Sequence, residues 1–225
     1  MDHILKKPDQ SIVLFSGGSD STLAAALMAK KNQRVHLLTY NRFSFLGAKD
    51  YTAKNYERLC KIFGKDHFQR KILPMGIWHK KIGYHNYFPL LKRFGLFLGS
   101  LSFSKLAMHY YTLKYALENN ITLVADGMVP YMDLYPDQNE KIALGAVRKL
   151  YQDFGIEYIN PVFPYASEVE PMLYDLGITE KKWVRGTEED KQVYYAEQVL
   201  LALFLKYALT RFGKKNMNQL WTNFI

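Results

Sequence analysis

The sequence contains very little cysteine. Its 225 residues include one Cys, which excludes a disulfide framework and a zinc site built from several cysteines. No apolar run approaches the ~18 residues that a transmembrane helix needs, and the first ten residues lack the apolar core of a secretory signal. From these absences we expect a soluble, cytoplasmic protein without membrane contact.

The charge of the chain is strongly positive. There are 30 Lys and Arg against 21 Asp and Glu, a formal net charge of +9. Such an excess attracts nucleic acid or polyphosphate, but a solvated surface without a specific partner has the same composition. Hydrophobic residues make up 48% of the chain and charged residues 23%, which is typical of a folded domain that buries its own core.

Short apolar runs alternate with helical patterns along the chain. The runs predict strands at residues 11–15, 34–40, 68–73, 121–125 and 157–160. The helical patterns lie at residues 21–29, 49–63, 104–119 and 139–154. This alternation predicts an α/β fold with a doubly wound parallel sheet of five strands.

Two parts of the chain do not follow that alternation. Residues 74–100 are rich in Pro, Gly and aromatics, and we expect an irregular segment there. From residue 166 the pattern is mainly helical, with an apolar stretch at 193–209. We therefore expect an α/β domain of residues 1–165 and a helical C-terminal extension of residues 166–225 packed on it.

The segment between the first strand and the first helix carries the chemical signal. It reads Ser16-Gly17-Gly18-Ser19-Asp20-Ser21-Thr22. Backbone N–H groups converge at such a junction and the helix dipole favours an anion, while consecutive glycines let the backbone approach a phosphate closely. The hydroxyls add donors, and the Asp20 carboxylate can hold a divalent cation. The alternative, a Ser-rich helix cap, explains less of this context.

The Ser-Gly-Gly-x-Asp-Ser pattern resembles the PP-loop of the ATP pyrophosphatase superfamily, the adenine nucleotide alpha hydrolases. The resemblance implies a Rossmann-like HUP domain that cleaves ATP to AMP and pyrophosphate with Mg²⁺, adenylating a substrate oxygen. It implies that Phe15 and the 16–22 loop cradle pyrophosphate and that Asp20 places the metal. Tyr40 and Gly127 would then border the adenosine. Weaker matches extend the resemblance to about residue 178.

A second segment bears on the branch of the superfamily. Residues 131–137, Tyr-Met-Asp-Leu-Tyr-Pro-Asp, are similar to a motif of the 7-cyano-7-deazaguanine synthases, although a simple turn is an equal alternative. The resemblance implies nitrogen attack on an adenylated carbonyl or carboxylate of a small-molecule acceptor, with Asp137 contacting metal or substrate. The four zinc cysteines of that family are missing here, so no zinc is expected.

Two further residues bear on whether the reaction is adenylation alone or sulfur transfer. A cation at Lys105, near the start of a predicted helix, can stabilise charge as pyrophosphate departs, but a solvated lysine is an equal alternative. Cys60 lies between apolar neighbours in a helical pattern and is expected to be packed rather than reactive. This disfavours sulfur transfer by paired cysteines. It leaves tRNA thiolation with an external sulfur donor, or a non-catalytic adenine-nucleotide-binding module, as alternatives.

The remaining expectations concern partners. ATP and an unidentified acceptor are expected, with tRNA as the partner of the thiolation alternative. The apolar helical pattern at residues 196–205 fits either a core helix or a homodimer contact.

Overall fold

The computed structural model describes residues 9–41, 50, 52–74, 100–129, 144–165 and 167–180, with the main chain alone for 100–107. The strands described are β1 (Gln10–Leu14), β2 (Arg34–Asn41), β3 (Phe68–Pro74), β4 (Leu123–Asp126) and β5 (Glu157–Ile159). The helices described are α1 (Ser19–Ala29), α2 (Ala53–Phe63), α3 (Ser100–Glu118), α4 (Gly145–Gln152) and α5 (Val169–Asp175). Short 3₁₀ turns cover Lys65–His67 and Phe163–Tyr165.

The five strands form one parallel sheet in the order β3-β2-β1-β4-β5. β1 is central, and Val13 pairs with Leu37 of β2 on one side and with Ala125 of β4 on the other. The order of connection reverses between β1 and β4. In open α/β sheets ligands bind at the carboxyl ends of the strands at such a reversal. The predicted fold class is confirmed.

Alternating side chains of the strands feed two apolar cores, one on each face of the sheet. Val13 and Phe15 of the β1 segment pack in the core that contains α1, α2 and α5, whereas Ile12 and Leu14 pack in the core that contains α3 and α4. This is the two-residue period expected of a strand covered on both faces.

Helix α1 is buried on nearly every side. Its residues Leu23, Ala24, Ala25, Ala26 and Met28 have no exposed surface. Three consecutive alanines let the helix lie close to the sheet and still pack against α2 and α5. A helix that is apolar all round is stable only inside a protein, so tight packing fixes the position of the loop that precedes α1.

Some element ends differ from the sequence expectation for local reasons. Helix α2 begins at Ala53 rather than residue 49, because Asp50 accepts hydrogen bonds from the Thr52 N–H (3.1 Å) and hydroxyl (2.8 Å). Strand β4 begins at Leu123 rather than residue 121. Asn120 adopts a left-handed conformation after α3 (φ 53°), and Ile121 N–H returns to the Ala116 carbonyl (2.9 Å), which closes that helix.

Several expectations concern parts of the chain outside the described residues. They include the irregular segment at 75–99, the motif at 131–137 and the apolar stretch at 193–209. The division of the chain at residue 165 stays a prediction, although Val169 and Leu173 of α5 belong to the core around α1. None of the described helices is both long and apolar enough to cross a membrane.

The end of β4 yields a test of this packing. A Cβ atom on Gly127 would lie 2.6 Å from the Asp20 carbonyl carbon and the Ser21 nitrogen. Because both are backbone atoms of a buried helix, they cannot move aside. We expect Gly127→Ala to lower the free energy of unfolding by about 2–3 kcal/mol in urea denaturation.

Gly155→Ala is the matched control for that variant. Gly155 has a left-handed φ of 71° but nothing within 4 Å of an added Cβ, so only backbone strain of about 1 kcal/mol applies. Equal losses for the two variants would contradict the close approach of β4 to α1.

Candidate functional site

The candidate site is the loop that connects β1 to α1 at the carboxyl edge of the sheet. Pairing with β2 continues one residue beyond β1, because Phe15 N–H donates to the Leu38 carbonyl (2.8 Å). The Thr39 hydroxyl donates to the Phe15 carbonyl (2.8 Å). The chain is therefore held up to Phe15 and turns only at Ser16 and Gly17.

Hydroxyl groups brace the loop from within. Ser21 Oγ and Thr22 Oγ1 both donate to the Gly18 carbonyl, at 3.1 and 2.7 Å. Ser16 Oγ lies 3.0 Å from Ser21 Oγ. The sequence suggested these side chains as phosphate donors, whereas in this geometry the Ser21 and Thr22 hydroxyls hold the loop closed against the helix.

Backbone N–H groups supply the anion-binding potential of the loop. The N-cap of α1 is Gly18, and no side chain caps the helix. The first turn of a helix has N–H groups without intrahelical acceptors, and it is also the positive end of the helix dipole. An anion placed here is bound without Lys or Arg, neither of which occurs in residues 15–22.

Asp20 lies in this first turn and has a perturbed acidity. Burial, followed by repulsion from Glu170 and Asp126, raises its pKa from 3.8 to about 6. The three carboxylates belong to α1, α5 and the end of β4, so this repulsion of Asp20 arises only in the folded chain.

Asp126 is held by a buried tyrosine. Tyr158 O–H donates to Asp126 Oδ2 (2.9 Å), and its ring stacks on Tyr151 with centroids 5.1 Å apart. Burial, together with the Asp126 charge, raises the pKa of Tyr158 well above its usual value, so its hydroxyl remains a donor. This pair could not be predicted from the sequence, because the two residues belong to different strands and meet only in the folded sheet.

The residues predicted to border adenosine lie at this same edge. Tyr40 is near the end of β2, and its hydroxyl is 2.6 Å from Thr112 Oγ1 of α3. Burial raises the pKa of Tyr40, although the hydrogen bond with Thr112 acts in the opposite direction. Its side chain is thus engaged with α3, and a contact with adenosine stays a prediction. Gly127 lies against Asp20 and Ser21.

The other two predicted catalytic residues are not brought into the site by what the structure describes. Lys105 belongs to α3 by its main chain, and its side chain is outside the described atoms. Asp137 lies outside the described residues altogether. Their catalytic roles stay predictions.

The start of α2 forms a wall of the loop that the sequence did not reveal. Asn55 Nδ2 donates to the Gly17 carbonyl at 2.6 Å. Gly17 has a φ of 80°, and a Cβ there would lie 2.8 Å from Thr52 Cα. The only sequence signal was the Asp50-x-Thr52 spacing, which is typical of a turn that precedes a helix.

An ion pair ties this wall to the edge of the sheet. Arg70 of β3 pairs with Asp50, and its guanidinium lies over the Tyr56 ring, 5.0 Å from the centroid. Burial acts to raise the pKa of Asp50, but hydrogen bonds from Arg70 and Thr52 hold it below its usual value. The position of α2 against the loop therefore depends on a charged contact as well as on apolar packing.

The raised pKa of Asp20 makes stability depend on pH. Between pH 3.8 and about 6 the folded protein binds the proton that the unfolded chain has released, so stability falls as pH rises through this window. We expect Asp20→Asn to remove that component of the unfolding free energy, which is about 3 kcal/mol. The difference in unfolding free energy between the variant and wild type, measured in urea from pH 4 to 7, should grow in favour of the variant.

Asp66→Asn serves as the control, since it makes the same chemical change at an exposed site on the 3₁₀ turn. It should follow the wild-type curve. If the difference in unfolding free energy between Asp20→Asn and wild type is the same at every pH, the pKa of Asp20 is not raised in the folded protein.

Solved structures with a similar fold were found, whereas no family model and no curated protein matches the chain. A 4-thiouridine synthetase in complex with RNA and bound ATP superposes with a TM-score of 0.54 at 15% identity, over 76% of this chain and 41% of that one. The U34-tRNA thiolase NcsA from Methanococcus maripaludis, with its [4Fe-4S] cluster, superposes with a TM-score of 0.51 at 15% identity, over 98% of this chain and 75% of that one. The chain thus spans about two fifths of the synthetase. At 15% identity these superpositions show a shared fold, and in this chain the Ser-Gly-Gly-Ser-Asp-Ser loop lies at the junction of β1 and α1 of that fold.

Proposed function

We propose that this chain is an ATP-using enzyme that modifies a tRNA nucleotide. ATP binds at the Ser16–Thr22 loop, a base oxygen is adenylated, and a sulfide-level donor then replaces the activated oxygen. The observation that carries the proposal is the first turn of α1, a backbone anion site at the reversal of the sheet. The similar solved structures, one holding ATP and RNA and the other a tRNA thiolase, support the choice of substrate.

The proposed reaction has two balanced steps. The base carbonyl oxygen attacks the α-phosphorus of ATP, the bond between the α-phosphorus and its bridging oxygen breaks, and pyrophosphate leaves with that electron pair. Hydrosulfide then adds to the base carbon, and AMP departs with the former carbonyl oxygen. Neither step requires a protein nucleophile, because adenylation itself creates the leaving group.

Each part of the loop has a role in the first step. N–H groups of the first turn of α1 bind the phosphate oxygens and stabilise the charge that develops on pyrophosphate. The Asp20 carboxylate suits a Mg²⁺ ion that the phosphates also bind, since Mg²⁺ commonly takes one or two protein carboxylates together with substrate phosphates. Bound there, Mg²⁺ would neutralise phosphate charge and would offset the repulsion that Asp20 receives from Glu170 and Asp126.

An iron–sulfur cluster does not fit this chain. NcsA contains a [4Fe-4S] cluster, and such clusters are held by several cysteine thiolates. The 225 residues offer only Cys60, which lies on α2 and packs against the core around α1. The described residues also contain no group of three or more His, Cys, Asp or Glu placed to hold a metal. The sulfur is therefore assigned to an external donor.

The nitrogen-attack chemistry expected from the sequence has weaker support. Its motif at residues 131–137 lies outside the described residues, whereas the two similar solved structures are both named for RNA thiolation. A nucleotide-binding module without turnover is the remaining alternative. It predicts ATP binding with no pyrophosphate release.

Turnover tests the assignment of Asp20. Wild type, incubated with ATP, Mg²⁺, unmodified tRNA and sulfide, should release pyrophosphate and form AMP. Asp20→Asn should slow pyrophosphate release about 100-fold or more, because a neutral amide is a poor Mg²⁺ ligand. Asp66→Asn again serves as the control and should keep wild-type activity. Full activity of Asp20→Asn would overturn the metal assignment.

Salt dependence tests the nucleic-acid partner. If tRNA is the substrate, part of the +9 excess charge contacts its phosphates, and affinity should fall by 10-fold or more between about 50 and 200 mM salt. Filter binding or fluorescence anisotropy with unmodified tRNA measures this. An affinity that does not change with salt, or a small-molecule acceptor that drives pyrophosphate release without tRNA, would contradict the proposed substrate.

A further inference from the structure

We propose that Asn55 is a positioning residue for the phosphate-binding loop, where it fixes the orientation of the peptide between Gly17 and Gly18. The inference rests on the proposed function, since it assumes that ATP phosphates bind at this loop. It goes beyond that function by assigning a role to α2, which contributes nothing to the loop motif itself.

The Asn55 side chain is itself held in one orientation. Its Nδ2 donates to the Gly17 carbonyl at 2.6 Å, while its Oδ1 accepts from Arg58 Nη1 at 3.1 Å. Because Arg58 can only donate, the oxygen of the amide faces Arg58 and the NH₂ group faces the loop. Arg58, three residues further along the same helix, thus sets which end of the Asn55 amide meets Gly17.

This contact fixes both ends of the peptide. In a trans peptide the carbonyl oxygen and the following N–H point in opposite directions. With the Gly17 oxygen directed to Asn55, the Gly18 N–H points the other way, and it lies 3.3 Å from Ser16 Oγ inside the loop. The loop interior therefore receives a hydrogen-bond donor from this peptide.

Two hydrogen bonds oppose a flip of this peptide, the short one from Asn55 Nδ2 to the Gly17 carbonyl (2.6 Å) and the longer one from the Gly18 N–H to Ser16 Oγ (3.3 Å). A flip changes only ψ of Gly17 and φ of Gly18, and glycine accepts nearly all such values. A bulkier residue at position 17 would limit the flip, but its Cβ would lie 2.8 Å from Thr52 Cα and φ is 80°. Close packing thus requires glycine at position 17. Since glycine does not restrict the peptide, its orientation depends on its hydrogen bonds, of which the one from Asn55 is the shorter.

The flipped peptide would disfavour phosphate binding. The carbonyl oxygen of Gly17 would then face the loop interior in place of the Gly18 N–H. An anion would meet a partial negative charge where it now meets a donor. Loss of the Asn55 contact is therefore expected to weaken binding of phosphates and to leave contacts with the adenine and ribose unaffected.

Two variants and a matched control test this role. Asn55→Asp keeps the shape of the side chain but cannot donate to the Gly17 carbonyl, and Asn55→Ala removes the contact. Lys54→Gln changes the net charge by the same amount as Asn55→Asp, at an exposed neighbouring position of α2. Isothermal titration calorimetry would measure the Kd of each protein for Mg²⁺–ATP and for adenosine, and thermal unfolding would verify the fold.

We expect ATP binding to weaken about 100-fold in Asn55→Asp and about 10-fold in Asn55→Ala, while Lys54→Gln stays within about twofold of wild type. Adenosine should bind all four proteins alike, a selectivity that a merely structural role would not produce. If Asn55→Asp does not unfold cooperatively, the Kd values of Asn55→Ala are compared with those of wild type instead.

The outcomes separate this inference from the function on which it rests. Wild type that binds no ATP overturns the proposed function, and the role of Asn55 falls with it. If wild type binds ATP and the Asn55 variants bind it equally well, only the role of Asn55 is overturned. A loss of adenosine affinity as large as that of ATP affinity also overturns it, since the defect is then general to the fold.

Discussion

Gly127 at the end of β4 lies against the backbone of Asp20 and Ser21, and Gly17 lies against Thr52 at the start of α2. At each point one backbone segment contacts another with no space for a side chain. These two contacts hold the β1–α1 loop between the exit of a neighbouring strand and the entry of a neighbouring helix. The hydroxyl bonds within the loop, the hydrogen bond from Asn55 and the carboxylates beside Asp20 all depend on that placement.

The candidate site lacks the positive side chains that dominate the charge of the whole chain. The sequence has an excess of nine positive charges, yet residues 15–22 contain no Lys or Arg and Asp20 faces Glu170 and Asp126. In the proposed function, backbone dipoles would attract the phosphates, and the Asp20 carboxylate would favour the accompanying metal. The net charge of the chain bears only on the proposed contact with a large polyanion such as tRNA. It is not evidence for anion binding at the loop.

The parts of the fold that repeat along the chain could be predicted from sequence. Alternation of apolar runs predicted all five of the described strands. The motif at Ser16–Thr22 predicted the loop between β1 and α1, because a local motif contains its own geometry, and its role in binding an anion stays a prediction. Asn55, Glu170 and Tyr158 could not be predicted in the same way. Each acts on the loop only because the sheet and α1 bring distant segments together, and an ordinary Asn in a helix carries no signal of what its amide will contact. Gly127 was predicted to border adenosine, and that role stays a prediction. The structure adds that a residue without a Cβ is needed here, because β4 approaches α1 closely.

The alanines of α1 have a consequence for the thermodynamics of binding. Since Ala24, Ala25 and Ala26 have no exposed surface, α1 cannot shift without disrupting the core of one whole face of the sheet. The position of the loop at its N-terminus is thus set by the packing of the folded chain. A phosphate that bound there would cost little conformational entropy, because the helix dipole and its N–H groups are already in place.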